Sequence, residues 1–259
     1  MQQRHLDRKQ YFEEQSYTTK KHVIPYIETI RPVHRGMRVL EIGCGEGGNI
    51  QPFLDMGCTI VGVDINAGSI QHAENFYANH LLRKNLKLIN KDIYDVQNDM
   101  EKFDIIMLRD VLEHIHNQEK FMNYVKLFLK DDGLFFIAFP PWQNPFGGHQ
   151  QVLRSNVLSH LPYFHVFPKP ILKIILKMFG ESDGIQGLFE LVDTGISIER
   201  YKKIIKKEGY KTLKQTFWFI NPNYEVKFNL KRREQLKLLS SIPYFRNYFI
   251  TAYYAVISK

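Results

Sequence analysis

Short apolar runs alternate with amphipathic stretches over the first 141 residues of the chain. The runs of strand length lie at residues 37–42, 58–65, 86–92, 103–110 and 134–141. Between them, helical periodicity marks residues 48–56, 67–82 and 117–130, after an amphipathic leading helix over 7–33. Strands that alternate with helices predict βαβ units and a parallel sheet covered on both faces. Right-handed crossovers then produce a doubly wound sheet.

The alternation stops after Pro140 and Pro141. Residues 142–196 are rich in aromatic residues, His, Pro and Gly, and they predict an insertion or lid. A helix over 197–208, a strand over 210–220 and a last strand over 247–258 follow, and a basic segment at 221–246 contains a helix candidate. Two late strands without a crossover helix are expected to run antiparallel. The prediction is one α/β domain: a leading helix (1–36), a core (37–141), a lid and a C-terminal part (197–259).

Composition agrees with a single globular domain. The chain has 259 residues, of which 44% are hydrophobic and 24% are charged, and these values exclude disordered and coiled-coil classes. No apolar run approaches the about 18 residues of a spanning helix, and the N-terminus has no apolar signal-peptide segment. Two cysteines cannot form a disulfide framework. We therefore expect a cytoplasmic protein without a transmembrane segment.

Positive charge is concentrated in the second part of the chain. Residues 1–150 have 17 Lys and Arg against 19 Asp and Glu, a net charge of −2, whereas residues 151–259 have 18 against 8, a net charge of +10. Such an excess favours an acidic ligand, a membrane surface or nucleic acid near this part. The run YKKIIKKEGYK at 201–211 fits a solvated helix face equally well.

A glycine-rich loop follows the first strand. Gly43, Gly45 and Gly47 allow a tight turn and a close approach of the backbone to a ligand, at the strand end where open α/β sheets bind nucleotides. The spacing G-x-G-x-G differs from the G-x-G-x-x-G of dinucleotide sites, and Glu41 would repel a pyrophosphate. An acid at this place suits a cation, such as the sulfonium and ammonium of S-adenosyl-L-methionine. We expect Cys44 to serve as a small residue in a tight loop rather than as a nucleophile.

Five segments in this order and spacing resemble the class I S-adenosylmethionine-dependent methyltransferases. They are VLEIGCGEGG (39–48), GVDIN (62–66), KDIYD (91–95), FDIIMLRDVLEHI (103–115) and LKDDGLFFIAFP (129–140). The resemblance implies a Rossmann-like, mostly parallel seven-stranded sheet whose last strand is antiparallel. It also implies S-adenosyl-L-methionine as cofactor and S-adenosyl-L-homocysteine as product.

The resemblance also implies how the first two strand ends bind the cofactor. The backbone at Gly43, Cys44 and Gly45 would lie against the methionine and ribose parts. Asp64, at the end of the second strand, would accept hydrogen bonds from the ribose hydroxyl groups, as its spacing from the glycine loop also suggests. Ile65 would pack on the adenine ring.

The next strand ends complete the implied cofactor site. Asp92 would accept a hydrogen bond from the adenine amino group, with Ile93 beside it. Arg109 and Asp110, at the end of the fourth strand, would face the methionine end. Because these residues follow separate strands, they converge at one edge of a parallel sheet.

A base is needed only if the methyl acceptor is a hydroxyl group or an amine. His149, in a bendable loop after the fifth strand, is the first candidate because a neutral histidine titrates near working pH. His114 is the second candidate. The spacing of Asp110, Glu113 and His114 predicts that they share one helix face. No Cys, His or carboxylate spacing indicates a metal site, and none is predicted.

The lid contains a basic amphipathic segment at 160–180. Lys169, Lys173 and Lys177 are spaced by four, which predicts lysines on one helix face and Leu and Ile on the other. Such a helix can lie on an anionic membrane, cover an apolar acceptor or pack as an ordinary lid. We expect a methyltransferase that acts on a small or lipid-like acceptor. O-methylation is favoured because a histidine is available as the base.

Three other functions fit the sequence less well. A nucleic-acid methyltransferase would use the basic C-terminal part, but the chain lacks the Asn-Pro-Pro-aromatic signature of amino-directed enzymes. A cofactor-binding protein without catalysis is disfavoured by the complete set of cofactor motifs. A nicotinamide oxidoreductase is disfavoured by the glycine spacing and by Glu41. Oligomeric state stays open.

Overall fold

The computed structural model of the chain describes residues 7–96, 100–148, 150, 153–181 and 184–259. Within these residues, no helix combines the length and the apolar character that a membrane span requires.

The leading helix is interrupted by a wider turn. Helix α1 (Arg8–Thr18) continues into a π-helical turn (Thr19–Val23) and then into α2 (Ile24–Glu28). Asp7 caps the start of α1 by accepting a hydrogen bond from the backbone N–H of Gln10 at 2.9 Å. A π-helical turn inserts one extra residue and often marks a functional site. Here the buried Thr19 donates a hydrogen bond to Asn49, and the buried His22 forms one with Glu225.

The first half follows the predicted alternation. Its elements are β1 (Arg38–Ile42), α3 (Ile50–Asp55), β2 (Thr59–Asp64), α4 (Ala67–Tyr77), β3 (Leu86–Asn90), β4 (Phe103–Arg109), α5 (Gln118–Val125) and β5 (Leu129–Phe139). Helices α4 and α5 each end five residues before the predicted bound, at Tyr77 and Val125. Strand β5 already begins at Leu129, where helix was predicted. Leu129 pairs with Phe103, and the register shifts before Leu134 pairs with Ile105.

The second half is less regular. Its elements are α6 (Asn156–His160), α7 (Lys169–Met178), α8 (Gly184–Thr194), α9 (Ile198–Lys207), β6 (Lys211–Ile220), α10 (Tyr224–Phe228), β7 (Arg233–Glu234), α11 (Lys237–Ser240) and β8 (Ala252–Ser258). The prediction of one basic helix within 221–246 is wrong. Asn229 adopts a left-handed conformation that ends α10, and β7 then pairs with β6.

The sheet confirms the predicted fold class. Among the described residues it has eight strands in the order β3-β2-β1-β4-β5-β8-β6-β7. The strands β1 to β5 are parallel, and β8 is antiparallel to both β5 and β6. The last strand therefore lies between two others, and the eighth strand is the two-residue β7 at the edge. The order reverses between β1 and β4, which places a crevice at their carboxyl ends.

Two hydrophobic clusters cover the two faces of the sheet. Leu40 and Ile42 face the cluster that includes α5 and α9, whereas Val39 faces the cluster formed with α2, α3 and α4. Because side chains alternate along a strand, Glu41 points to the same face as Val39. A carboxyl group is thereby buried beneath the N-terminal helices, with 2% of its surface exposed.

Candidate active site

The glycine-rich loop between β1 and α3 is shaped by left-handed backbone. Gly43, Gly45 and Gly47 have φ angles of 69°, 52° and 84°. A Cβ atom at Gly43 would lie 2.4 Å from a methyl group of Val111, so only glycine fits there. The N–H groups of Gly43 and Cys44 donate to the carbonyl oxygen of Val63 at 2.8 and 3.1 Å. The loop is therefore fixed to the end of β2.

The carboxylate of Asp64 is also held by backbone groups. Its two oxygens accept hydrogen bonds from Gly45 N–H at 2.7 Å and from Asn66 N–H at 2.8 Å. The next side chain, Ile65, is 75% exposed, which is unusual for isoleucine. Thus β2 ends with a fixed carboxylate and an uncovered apolar side chain.

The end of β3 supplies a second carboxylate. Asp92 begins a short 3₁₀ turn (Ile93–Asp95), and its side chain accepts a hydrogen bond from Tyr94 N–H at 3.0 Å. Ile93 is buried beside it. Both residues face the crevice that Asp64 faces.

A cavity of about 670 Å³ occupies this crevice. That volume suits a small-molecule or cofactor site. Several predicted site residues contribute to its wall, namely Gly43, Asp64, Ile65, Asp92, Ile93, Asp110 and His114. The strand-end residues named from the sequence therefore converge on one cavity.

Glu41 and Arg109 lie outside this wall and are joined by Asn49. The Asn49 side-chain amide donates to Glu41 Oε1 at 2.7 Å, and the Arg109 guanidinium donates to Asn49 Oδ1 at 2.9 Å. The hydroxyl of Thr19, from the π-helical turn, donates to the same Asn49 oxygen at 2.9 Å. Burial raises the pKa of Glu41 to about 8, against the opposing effects of the Asn49 hydrogen bond and the Arg109 charge.

The loop cysteine lacks the features of a nucleophile. Cys44 is 1% exposed, and burial raises the pKa of its thiol well above the usual range. The charges of Glu41 and Asp64 act in the same direction. A thiol without thiolate character does not attack an electrophile.

Asp110 directly follows β4 in a left-handed conformation with φ of 55°. Its side chain is 47% exposed, and its Oδ2 lies 3.6 Å from Nε of Arg109. Left-handed backbone at a non-glycine residue is costly and is concentrated at functional sites. Here it places the carboxylate at the wall of the cavity.

The segment after Asp110 does not form the predicted helix face. It is a 3₁₀ turn (Leu112–His114) in which Glu113 is buried while His114 lines the cavity. The shared-face prediction is therefore wrong, because a 3₁₀ turn rotates successive residues differently from an α-helix. Desolvation lowers the pKa of His114, and the nearby Asp110 and Glu190 partly oppose this effect. His149 lies outside the described residues.

Two tyrosines that the sequence did not suggest lie near Asp110. Burial raises the pKa of Tyr11 to about 12, and the Asp110 charge contributes. Burial also raises the pKa of Tyr224, again with a contribution from Asp110. Tyr11 belongs to α1 and Tyr224 to α10, and these two helices are in contact. Neither lies in a recognisable motif, so only the folded structure brings them together.

No cluster of three or more His, Cys, Asp and Glu side chains suited to a metal ion occurs in the part of the chain that the structure describes.

Residues 13–177, more than half of the chain, match the model of a methyltransferase domain family. A similar curated protein is a ubiquinone biosynthesis O-methyltransferase of Glaesserella parasuis, 37% identical over 109 residues, which cover 40% of this chain and 45% of that protein. The chain thus spans about half the length of the curated relatives it matches.

Two solved structures show the likeness of the fold. A Galdieria sulphuraria protein, provisionally named a sarcosine dimethylglycine methyltransferase, has a TM-score of 0.61 and 16% identity, over 94% of this chain and 86% of that one. A magnesium protoporphyrin IX methyltransferase of Synechocystis PCC 6803 with bound S-adenosylmethionine has a TM-score of 0.54 and 12% identity, over 95% and 80%. The predicted family is confirmed: the chain belongs to the methyltransferase domain family.

Proposed function

We propose that this protein is an S-adenosylmethionine-dependent methyltransferase that acts on a hydroxyl group of a small or lipid-like acceptor. The observation that carries the proposal is the cavity wall, which combines the carboxylates of Asp64 and Asp92 with the uncovered side chain of Ile65. An adenosyl group presents hydroxyl and amino donors beside an apolar ring, and this wall offers a partner for each.

Asp64 suits the ribose hydroxyl groups. Each of its oxygens accepts one backbone hydrogen bond, which fixes the carboxylate and leaves lone pairs for further donors. Asp92 is fixed in the same way by Tyr94 N–H and is proposed to accept from the adenine amino group. Ile65 would be covered by the adenine ring, with a gain of apolar burial.

The buried pair Glu41 and Arg109 is proposed to set the charge beneath the methionine end. Glu41 lies one strand residue before the loop, and Asn49 joins it to the guanidinium of Arg109. Ionising a buried carboxyl group is costly, and a nearby cation compensates that cost. A carboxyl group in this position therefore favours the binding of a cation. When bound, the cofactor supplies a methyl group that is already activated by the sulfonium.

The protein then has to position the acceptor and take up its proton. His149 stays the first proposed base, and His114 and Asp110 are the alternatives at the cavity. The lowered pKa of His114 makes it neutral at neutral pH, as a base must be. The name of the curated relatives, ubiquinone biosynthesis O-methyltransferase, supports an oxygen acceptor.

The acceptor is proposed to enter beside Tyr11 and Tyr224. Both tyrosines are only half-buried by surface area, and both interact electrostatically with Asp110. Aromatic walls next to a carboxylate suit an apolar ring that carries a hydroxyl group. We further propose that the protein works in the cytoplasm and meets lipid-like acceptors at a membrane surface.

Methyl transfer tests this function directly. The purified protein is incubated with radiolabelled S-adenosylmethionine and pools of phenolic, quinol-like and lipid acceptors, and labelled products are identified by mass spectrometry. Asp64→Ala serves as the inactive enzyme. Asp95→Ala removes an exposed carboxylate that does not line the cavity and serves as the matched control. Labelled product with wild type and Asp95→Ala, but not with Asp64→Ala, is expected. Labelling of nitrogen or carbon acceptors alone would overturn O-methylation.

A further inference from the structure

Helix α7 has two separate apolar faces. Leu172 and Leu176 are fully buried, in a small core that includes Phe164 and Leu188. By contrast, Ile171, Ile174 and Met178 are 45%, 59% and 77% exposed. At about 100° per residue, the exposed group is centred roughly 150° around the helix from the buried pair. The prediction that Leu and Ile share one face is therefore wrong, and the lid core leaves a second apolar face uncovered.

Exposed aromatic side chains also lie at both ends of the helix. Phe167 precedes α7 and Phe179 follows it, and both are about half exposed. Single exposed apolar residues are normal on protein surfaces, whereas a contiguous group marks an interaction site. We call Ile171, Ile174 and Met178 the outer face of α7.

Lysines flank the outer face. Lys173 and Lys177 lie between the two apolar faces on the helix, and both are exposed. Lys169 differs, because it forms an ion pair with Asp193 of α8. Residues 160–180 contain these three lysines and no Asp or Glu. Within the described residues, no ion pair engages Lys173 or Lys177, so their charges are available to an anionic partner.

From this arrangement we propose that the outer face of α7 docks on an anionic lipid bilayer. Ile171, Ile174 and Met178 would enter the boundary between headgroups and acyl chains, and Lys173 and Lys177 would meet the lipid phosphates. A helix of ten residues is too short to span a bilayer and suits binding in the plane of its surface. A second copy of the chain is a poorer occupant, because it would bring like charges together.

Vesicle co-sedimentation tests the docking surface without cofactor or acceptor, so its outcome is independent of the proposed reaction. The vesicles contain phosphatidylcholine alone, or phosphatidylcholine with about one third phosphatidylglycerol. Wild type should bind the anionic vesicles, and added salt should weaken the binding. The triple variant Ile171→Ser, Ile174→Ser and Met178→Ser should bind at least tenfold more weakly. Leu81→Ser removes a leucine elsewhere that is 97% exposed, and this variant should bind as wild type does.

A charge variant separates the two parts of the surface. Lys173→Gln with Lys177→Gln should lower anionic-vesicle binding by about 30-fold, since each lysine near an anionic surface contributes about fivefold. Lys206→Gln with Lys207→Gln, on the exposed side of α9, is the matched control and should lose much less. All variants replace exposed side chains, so circular dichroism and melting temperature should match wild type.

Two results would overturn the proposal. One is the absence of wild-type binding to anionic vesicles. The other is unchanged binding of the triple variant. A concentration-dependent dimer that the triple variant abolishes, without vesicle binding, would assign the outer face to a second copy instead.

Discussion

Replacing Glu41 by Gln should make the protein more stable while it loses cofactor affinity. The carboxyl group of Glu41 is buried, and its pKa is about 8 in the folded protein, against an ordinary value of 4.5. Folding at neutral pH therefore takes up a proton that the unfolded chain has lost. This uptake costs about 1.4 kcal/mol per pH unit above 4.5, or about 3 kcal/mol at pH 7.

The sign of the pH dependence follows from the same shift. Because the folded pKa is raised, the folded state binds more protons than the unfolded state between about pH 4.5 and 8, and the wild type loses stability as pH rises through that window. The Glu41→Gln variant would have no such dependence, and its new amide oxygen can still accept from Asn49. Any fixed cost of the new amide N–H group is the same at each pH.

Urea unfolding near pH 5 and near pH 7.5 measures this effect. The free energy of unfolding of Glu41→Gln, relative to wild type, should increase by about 3 kcal/mol between the two pH values. Calorimetry on the same samples should show cofactor affinity reduced tenfold or more, since the variant lacks the ionisable group. A stability difference that stays constant with pH would refute the assigned pKa. Unchanged affinity would refute the role beneath the methionine end.

Further substitutions test the other parts of the site. Asp64→Ala should abolish cofactor binding in calorimetry, because no other proposed group accepts from the ribose hydroxyls; retained affinity would refute that assignment. Gly43→Ala should lower the melting temperature, since its Cβ would meet Val111 at 2.4 Å, and adding Val111→Ala should restore part of the loss; no loss would mean that the loop yields. His149→Ala should slow transfer about 10²–10⁴-fold with cofactor affinity intact, and a change below tenfold would make it a positioning residue. If His114 is the base instead, kcat/KM should decline on the acidic side with an apparent pKa below 6.5, the ordinary value for histidine. An apparent pKa above 6.5 would exclude His114 as the base.

The sequence was informative where chemistry follows strand ends. Asp64, Asp92 and Asp110 each end a strand or come within two residues of one, and parallel strands bring such positions to one edge. The glycines also predicted a tight turn after the first strand, and the structure forms it with left-handed backbone at Gly43, Gly45 and Gly47. These features are local in the chain, so pattern and spacing are sufficient to find them.

The sequence was less informative where distant elements meet. Tyr11 and Tyr224 approach Asp110 only because α1 contacts α10. The side chain of Glu225, in α10, also contacts those of Lys21 and His22 in the π-helical turn. These partners are about 200 residues away in the chain. No periodicity encodes such pairs. The basic segment 221–246 failed as a predicted helix for a related reason, because β7 pairs with β6 and tertiary pairing overrides helix propensity.

Calorimetric titration with S-adenosylmethionine, S-adenosylhomocysteine and NAD, each on wild type, tests the central claim most directly. The cavity formed by Gly43, Asp64, Ile65 and Asp92 predicts micromolar binding of the first two ligands and no binding of NAD. Binding of NAD alone, or of none of the three, would contradict the assignment of this cavity to the methyl donor.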